Sequence, residues 1–494
     1  MLKKMLRNNQ KFFVCCLLNI LLLMPLLVYG GQNFSVDSYG VALDQSRHIF
    51  AFIGSYRWFG AVAYKAFNAL TGHNPVLCST VDIVVFIILV AIFISLLTNC
   101  IVELIGKKDR FVYIIVDLGV LVSVANVWFC NILSFPECVF ITAIGVCLCF
   151  GAVVAYITLK GWRRYLVSGL LAIFSTGVYQ QFISVFAIYI IAICGIEIFI
   201  QNKKTFKQIF SHYLKSATLI ILSGSIYFAV GKLFQMIFNV EANSRVNLSI
   251  SGIVDNVIYF IKNQHSFLKG RGFFESEFLT VSFLIIGFIW LVYMIGDWIK
   301  NKRTIRTIFL FSSYAVAYAS AYLPGILSTS HAARAILALF SVFSLFLIGI
   351  VLLSDEKYIK VITCFIMTIV FAANLSTSIK VELIQKEQNK VDRAWSETVI
   401  EEIEKYEKEN NTKVQTIEFC YDQDSDLSLD KSESAVGYEY SLENMINYYS
   451  GRSFDVIGIM DEKQKELFDD KEWDIFVVEE QLVFDGNILY LCCY

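Results

Sequence analysis

Long apolar runs recur along the first three quarters of the chain, and what they share is length rather than strict periodicity. Runs of about 17 or more apolar residues are long enough to cross a bilayer as helices. Eleven are read: 12–30, 80–99, 111–129, 138–159, 165–179, 181–200, 216–238, 278–298, 307–323, 335–353 and 361–376. The fifth and sixth form one block too long for a single crossing, so it is folded into a hairpin at Tyr179-Gln180-Gln181. Lys and Arg precede the first run and follow every even-numbered one, from Lys107, Lys108 and Arg110 after the second to Lys357 and Lys360 after the tenth. Positively charged connections stay in the cytoplasm. The N-terminus is therefore expected to be cytoplasmic and, after an odd number of crossings, the C-terminal part outside. The first run has a long apolar core and only a weak cleavage site at Val28-Tyr29-Gly30, so it reads as an uncleaved anchor.

The connections on the other side differ in character. Residues 31–79 and 239–277 are long and mix polar with aromatic residues. Within the first, Phe59, Val62, Ala63, Phe67 and Leu70 fall on one side of an amphipathic helix suited to the membrane interface. Past 376 the spanning pattern ends. Ala394–Tyr406 carries a helical stripe of Val399, Ile400 and Ile403. Val414–Cys420 and Phe454–Met460 read as strands, Leu442–Tyr449 and Glu462–Phe468 as helices, and Asp474–Tyr494 as two strands turned at Asp485-Gly486-Asn487. The expected fold is a polytopic α-helical membrane protein of about 11 transmembrane helices, residues 1–379, followed by a small extracytoplasmic α/β domain, residues 380–494.

Composition and charge sharpen that division. The chain is 56 % hydrophobic and 17 % charged, with a mean hydropathy of +0.60, which excludes an ordinary soluble or disordered protein. Residues 1–379 hold 29 Lys and Arg against 15 Asp and Glu, whereas 380–494 hold 12 against 28. The acidic tail and the lack of any basic soluble patch argue against nucleic acid as a partner. Of the 13 cysteines, most lie in or beside apolar runs, where they act as small hydrophobes. No metal-binding spacing or phosphate loop occurs. Cys130 and Cys138 bracket a short loop and are read as two thiols rather than a disulfide.

Few residues outside the runs could carry chemistry. Asp37 stands just beyond the first run, where partial desolvation near apolar walls suits a carboxylate to act as a general base. Asp44 shares its loop. Arg57 leads into the interfacial helix, and Arg334, after Ser328-Thr329-Ser330-His331, is placed to bind a phosphate in bidentate fashion. Pro136 fixes a turn that aims Glu137, although an acidic residue there also caps the fourth run. Asp117 lies within the third run, where a charge is costly and serves either packing or proton relay.

Asp37-Ser38-Tyr39 in the first outer loop, Arg57 some twenty residues on, Pro136-Glu137, Tyr179-Gln180-Gln181 and Arg334 together resemble the type II Gtr bacterial glucosyltransferases, polytopic enzymes of the GT-C kind. The resemblance covers nearly the whole chain in layout. Members often carry paired acidic residues in the first loop, whereas Val36 precedes Asp37 here. It implies transfer of a sugar, glucose, from a polyprenyl phosphate carrier to a surface glycan acceptor on the outer face of the cell membrane. In that chemistry Asp37 takes the acceptor proton and Glu137 orients acceptor or base. Arg57 and Arg334 offset charge on the departing phosphate, and Tyr39, Gln180, Gln181 and His331 line the substrate site. Inversion by single displacement is the implied course, with no cofactor required and a divalent cation left open. The rival readings are a polysaccharide or lipid flippase, against which the absence of midplane Pro and of an internal repeat counts, and a surface sensor.

Overall fold

The structure is a computed structural model that describes residues 9–31, 33–107, 109–200, 205–243, 249–269, 277–302, 304–328, 333–422, 428–429, 432–468, 473 and 475–493. It is 78 % helical. Each of the eleven apolar runs falls largely on helix, the third on two helices. Among the described residues seven helices are long and apolar enough to cross a membrane, and their helical segments are α1 (Asn9–Leu23, continued by a 3-10 turn Met24–Tyr29), α5 (Ser79–Ile105), α8 (Pro136–Thr158), α10 (Phe182–Ile200), α11 (Phe206–Phe238), α14 (Glu277–Asn301) and α18 (Lys357–Asn410). The helices at the fifth, ninth and tenth runs, α9 (Trp162–Val178), α15 (Thr304–Ser320) and α17 (Leu339–Leu353), have 17, 17 and 15 residues, short of the roughly 20 a crossing needs. By length and composition, then, seven helices qualify as candidate crossings, or eight if the bent pair at the third run counts as one.

The third run is broken. It forms α6 (Arg110–Val122) and α7 (Val127–Leu133), bent by 51°. The cause is Asn126, whose side chain accepts from Phe129 N at 3.0 Å and donates to Val122 O at 2.9 Å, closing one helix and capping the next. Asp117, on α6, accepts from Asn19 (3.1 Å), Cys15 (3.2 Å) and Thr98 (2.9 Å), so its polarity clamps α1 and α5 onto α6. Cys130 and Cys138 are free thiols.

Polar contacts join the basic connections at one end of the bundle. Lys107 donates to Val351 O and Leu352 O at 2.9 and 3.0 Å and pairs with Asp355 at 2.9 Å. Lys360 pairs with Asp109 at 2.6 Å.

The loop after α1 folds into α2 (Ser38–Leu43), α3 (Gln45–Gly54) and α4 (Trp58–Thr71), the last where the amphipathic pattern lies. Its Gly60, Ala61 and Tyr64 are buried, while Val62 and Leu70 are 42 and 84 % exposed, leaving an apolar face outward. After α11 come α12 (Ile250–Lys262) and α13 (Gln264–Lys269), and a short α16 (Leu323–Ile326) precedes a 3-10 turn at Ala333–Ile336.

The charged stripe at Ala394–Tyr406 is the far part of α18, a single helix of 54 residues that carries no Gly or Pro to stop it. Composition changes along it while the helical period does not. Beyond it β1 (Thr416–Tyr421), α19 (Glu439–Ser450), β2 (Asp455–Gly458), α20 (Asp461–Phe468), α21 (Val478–Gln481), β3 (Leu482–Asp485) and β4 (Ile488–Cys493) build a sheet in the order β2-β1-β4-β3. Strands β1–β2 and β1–β4 are parallel and β3–β4 is a hairpin, turned where the sequence predicts, with Gly486 at φ +60°. Its core is not its own. Phe34, Tyr39, Val41 and Val76 pack into one cluster with Trp395, Val399, Leu442 and Met445.

Candidate functional site

Local sequence sets up the loop that carries the site. Ser35 Oγ and Ser38 Oγ lie 2.8 Å apart, and Ser35 N donates to Ser38 Oγ at 2.9 Å, so the chain turns tightly at Val36-Asp37. Asp37 opens α2 without a side-chain cap bond, leaving its carboxylate outward and exposed. Asp44 is used differently, accepting from Ser46 N at 2.9 Å to cap α3. At the other end of α3 the Tyr56 N–H bonds Ile53 O (3.0 Å) and the Arg57 N–H bonds Phe52 O (2.8 Å). This is a Schellman ending with Tyr56 in the left-handed region at φ 60°, a position that usually takes Gly. The Tyr56 ring stacks on Phe228 at 4.8 Å, which offsets the strain and fixes where Arg57 starts. Trp58 then packs on α9 at Gly177, where a Cβ would come within 2.9 Å of it.

These elements meet in a cavity of about 330 Å³ lined by Asp37, Arg57, Glu137 and Arg334 together with Tyr179 and His48. The Arg57 guanidinium lies 4.8 Å from the Tyr179 ring centre and 6.0 Å from that of Phe52, and its Nε is buried without a hydrogen-bond partner among the described residues. Arg334 donates to Asn131 Oδ1 at 3.2 Å and lies 5.1 Å from the Phe135 ring. Tyr179 OH donates to Arg334 O at 3.5 Å. Among the described residues no carboxylate forms an ion pair with either guanidinium. Aromatic faces and one neutral amide hold both cations, so their charge is available to an anion in the cavity.

Glu137 follows Pro136 in the first turn of α8 and is 2 % exposed. It accepts from Ser38 Oγ at 2.9 Å and from Ser35 Oγ at 3.5 Å. The two candidate carboxylates are thus joined through the Ser35–Ser38 turn. His48 is buried against Phe52 and Tyr64, with ring centres 4.0 and 5.3 Å away. Burial, then the Arg57 charge, push its pKa down to about 3. It faces the cavity as a neutral imidazole whose Nε2 has no hydrogen-bond partner among the described residues.

The C-terminal part contributes as well. Tyr440 and Asn444 of α19 line the cavity with Asp37, and the Tyr440 phenol stands close enough to the Asp37 carboxylate to feel its charge. Burial and the Asp37 charge raise that phenol's pKa. Glu433 lies near enough to feel both Arg334 and Asp37. Glu382 of α18, fully buried, accepts from Asn33 and, at 3.1 Å, from Ser134, tying the loop and the end of α7 to the long helix.

Of the residues expected from the sequence, Asp37, Arg57, Glu137 and Arg334 come together. Tyr39 does not reach the cavity; it is 1 % exposed, stacked on Phe34 at 4.5 Å and beside Tyr448 and Tyr449. Gln180 and Gln181 sit in the turn between α9 and α10. Gln180 donates to Ser55 O, Gln181 is buried, and neither lines the cavity, whereas their neighbour Tyr179 does. His331 lies outside the described residues. Sequence reasoning passed over His48, whose signal is a histidine on the apolar side of α3 between two arginines, and over Tyr440 and Asn444, for which the linear sequence carries no signal. Among the described residues no cluster of His, Cys, Asp or Glu is arranged to hold a metal ion.

Neither curated proteins nor solved structures give a match to the chain. The family model described as Glucosyl transferase GtrII matches residues 31–354, more than half of the chain and all four charged residues of the cavity. The protein belongs to the GtrII glucosyl transferase family.

Proposed function

We propose that the protein transfers glucose from a polyprenyl phosphate carrier to a surface glycan, at the outer face of the cell membrane, inside the cavity of Asp37, Arg57, Glu137 and Arg334. The observation that carries this reading is the pairing, in one 330 Å³ cavity, of two guanidiniums that lack a carboxylate partner with two carboxylates. Phosphate needs the former and an incoming hydroxyl the latter. The acceptor oxygen attacks the anomeric carbon as the bond from that carbon to the carrier phosphate breaks. The electron pair leaves with the phosphate toward Arg57 and Arg334, and the hydroxyl proton passes to Asp37. Single displacement inverts the sugar. Glu137, fixed by Ser38, holds the Ser35–Ser38 turn and so positions Asp37; Tyr39 acts through packing, and Gln180 through the Ser55 carbonyl. A divalent cation is not required by this scheme.

The arrangement proposed in the membrane is GT-C-like. All eleven helical runs cross, the short ones within a locally thinned or protein-lined region, residues 1–379 form the transmembrane part, and residues 380–494 form the extracytoplasmic domain. The basic connections joined by Lys107–Asp355 and Lys360–Asp109 face the cytoplasm, which supports this orientation. The test is whether vesicles carrying the full chain consume radiolabelled polyprenyl phosphate glucose when a cell-surface glycan fraction is supplied. Consumption that Asp37→Asn abolishes is expected. Consumption unchanged by Asp37→Asn removes the proposed base, and none by the unaltered chain removes the proposed donor.

A further inference from the structure

The cavity has two unlike walls. One is cationic and comes from the ends of the helical bundle and the loop after α1, through Arg57 and Arg334. The other comes from α19, which lies beyond residue 354, where the family match ends. On that wall Tyr440 is 47 % exposed, and Tyr438, just before the helix, is 41 % exposed. Their ring centres are 6.0 Å apart at 49°. Two large aromatic rings left open beside a polar cavity are costly as plain surface and suited to a ligand that is apolar on one face and polar at its edge. Tyr440 and Asp37 line the same cavity, so anything resting on the ring has an edge near the proposed base. Asn444 completes the wall. It fits against α2 because Gly40 has no side chain, a Cβ there coming within 3.1 Å of the amide.

We propose that α19 forms the acceptor subsite: the rings of Tyr440 and Tyr438 receive the apolar face of an acceptor pyranose, Asn444 hydrogen-bonds its edge, and one hydroxyl is thereby directed at Asp37. The inference rests on the glucosyl-transfer reading above and extends it to the side from which the acceptor enters. A donor held by a membrane lipid comes to the cations from the bundle. A glycan comes from the aqueous side, where the sheet sits. The residues of the family match carry the donor-side charges, while the wall from outside the match is free to differ from member to member and so to set which glycan is glucosylated.

The test is saturation-transfer NMR on the full chain in vesicles, with methyl α-glucopyranoside, methyl α-rhamnopyranoside and methyl β-N-acetylglucosaminide as probes and no donor present. Binding of radiolabelled polyprenyl phosphate glucose is measured separately. At least one glycoside is expected to show contact signals that fall five-fold or more in Tyr440→Ala and remain in Tyr440→Phe, with donor binding within two-fold throughout. Asn444→Ala is expected to weaken them two- to five-fold and decides the matter should Tyr440→Ala also lose donor binding. Signals equal in Tyr440→Ala and Asn444→Ala to those of the unaltered chain, or no contact with any of the three glycosides, overturn the proposal. Failure of donor binding by the unaltered chain overturns the donor reading instead, and leaves the glycoside signals readable.

Discussion

Ser38 Oγ donates to Glu137 Oε2 at 2.9 Å, joining a loop residue to the first turn of α8 across 99 positions of sequence. This contact ties the exposed carboxylate of Asp37, one residue away, to a buried one. The two therefore have different work: one is placed to meet substrate and the other holds the turn.

Asp37→Asn keeps size and hydrogen bonding but cannot take a proton. Turnover is expected to fall on the order of 10²- to 10⁴-fold with donor binding little changed. Arg57→Ala is expected instead to weaken donor binding, by about 10- to 100-fold for a lost charge-assisted contact. Asp44→Asn, which removes a charge from the same loop outside the cavity lining while its amide oxygen can still cap α3, is the control. Steady-state transfer at varied donor concentration separates the three. Near-normal transfer by Asp37→Asn alongside a dead Glu137→Gln would mean that the base is Glu137.

Ser38→Ala leaves the buried Glu137 carboxylate, among the described side chains, with the longer contact to Ser35. A loss of about 1–3 kcal/mol is expected, read as a lower melting temperature of the purified chain. Unchanged melting would show that the turn is not held from Glu137.

His48 gives a pH dependence with a definite sign. In the unfolded chain it titrates at 6.5, whereas burial and then the Arg57 charge bring it to about 3 in the fold. Between those values the unfolded chain binds a proton that the folded chain does not. Stability from this group is therefore complete above 6.5 and is lost as pH falls toward 3, amounting to about 2 kcal/mol at pH 5. In His48→Gln the decline of melting temperature from pH 6.5 to 4 is expected to flatten. An equal slope in both chains would show that His48 carries a proton in the fold.

Tyr39 tests whether the C-terminal core depends on the first loop. Among the described residues its hydroxyl hydrogen-bonds Tyr449 alone, at 3.4 Å, so Tyr39→Phe is expected to retain most activity. Tyr39→Ala empties a fully packed aromatic site and is expected to cost about 3–5 kcal/mol, visible as proteolysis between α18 and β1. If Tyr39→Phe abolishes transfer with stability intact, the hydroxyl meets substrate after all.

Much of this arrangement was legible in the chain. Apolar length located the helices, and turn chemistry located the Asp485-Gly486-Asn487 hairpin, because both are properties of short windows. The break at Asn126 was missed since one polar residue in a long apolar run barely changes its average. The continuity of α18 was missed for the opposite reason: a sharp change in composition at Lys380 looks like a boundary although nothing there interrupts a helix. Asp37, Arg57, Glu137 and Arg334 could be picked out as charges at the ends of apolar runs. Tyr39 could not be placed, because its neighbours Tyr448 and Tyr449 stand some 410 residues away, and Tyr440 was invisible for the same reason.

A 54-residue helix at 1.5 Å per residue is a rod of about 80 Å. In the proposed arrangement its apolar part would lie in a bilayer some 30 Å thick, and about 50 Å would project beyond. The sheet and α19 ride on that projecting arm, while Arg57 and Arg334 stay with the bundle. A change in tilt of about 5°, of the kind that hydrophobic mismatch produces, swings the far end by several ångströms. Because Glu382 holds Asn33 and Ser134, and Trp395 and Val399 share a core with Phe34 and Tyr39, the loop that carries Asp37 is tied to the rod. In the proposed membrane arrangement a tilt would therefore strain the joint between that loop and the bundle that holds Arg334. Transfer in vesicles of increasing acyl length is expected to pass through an optimum rather than to hold level.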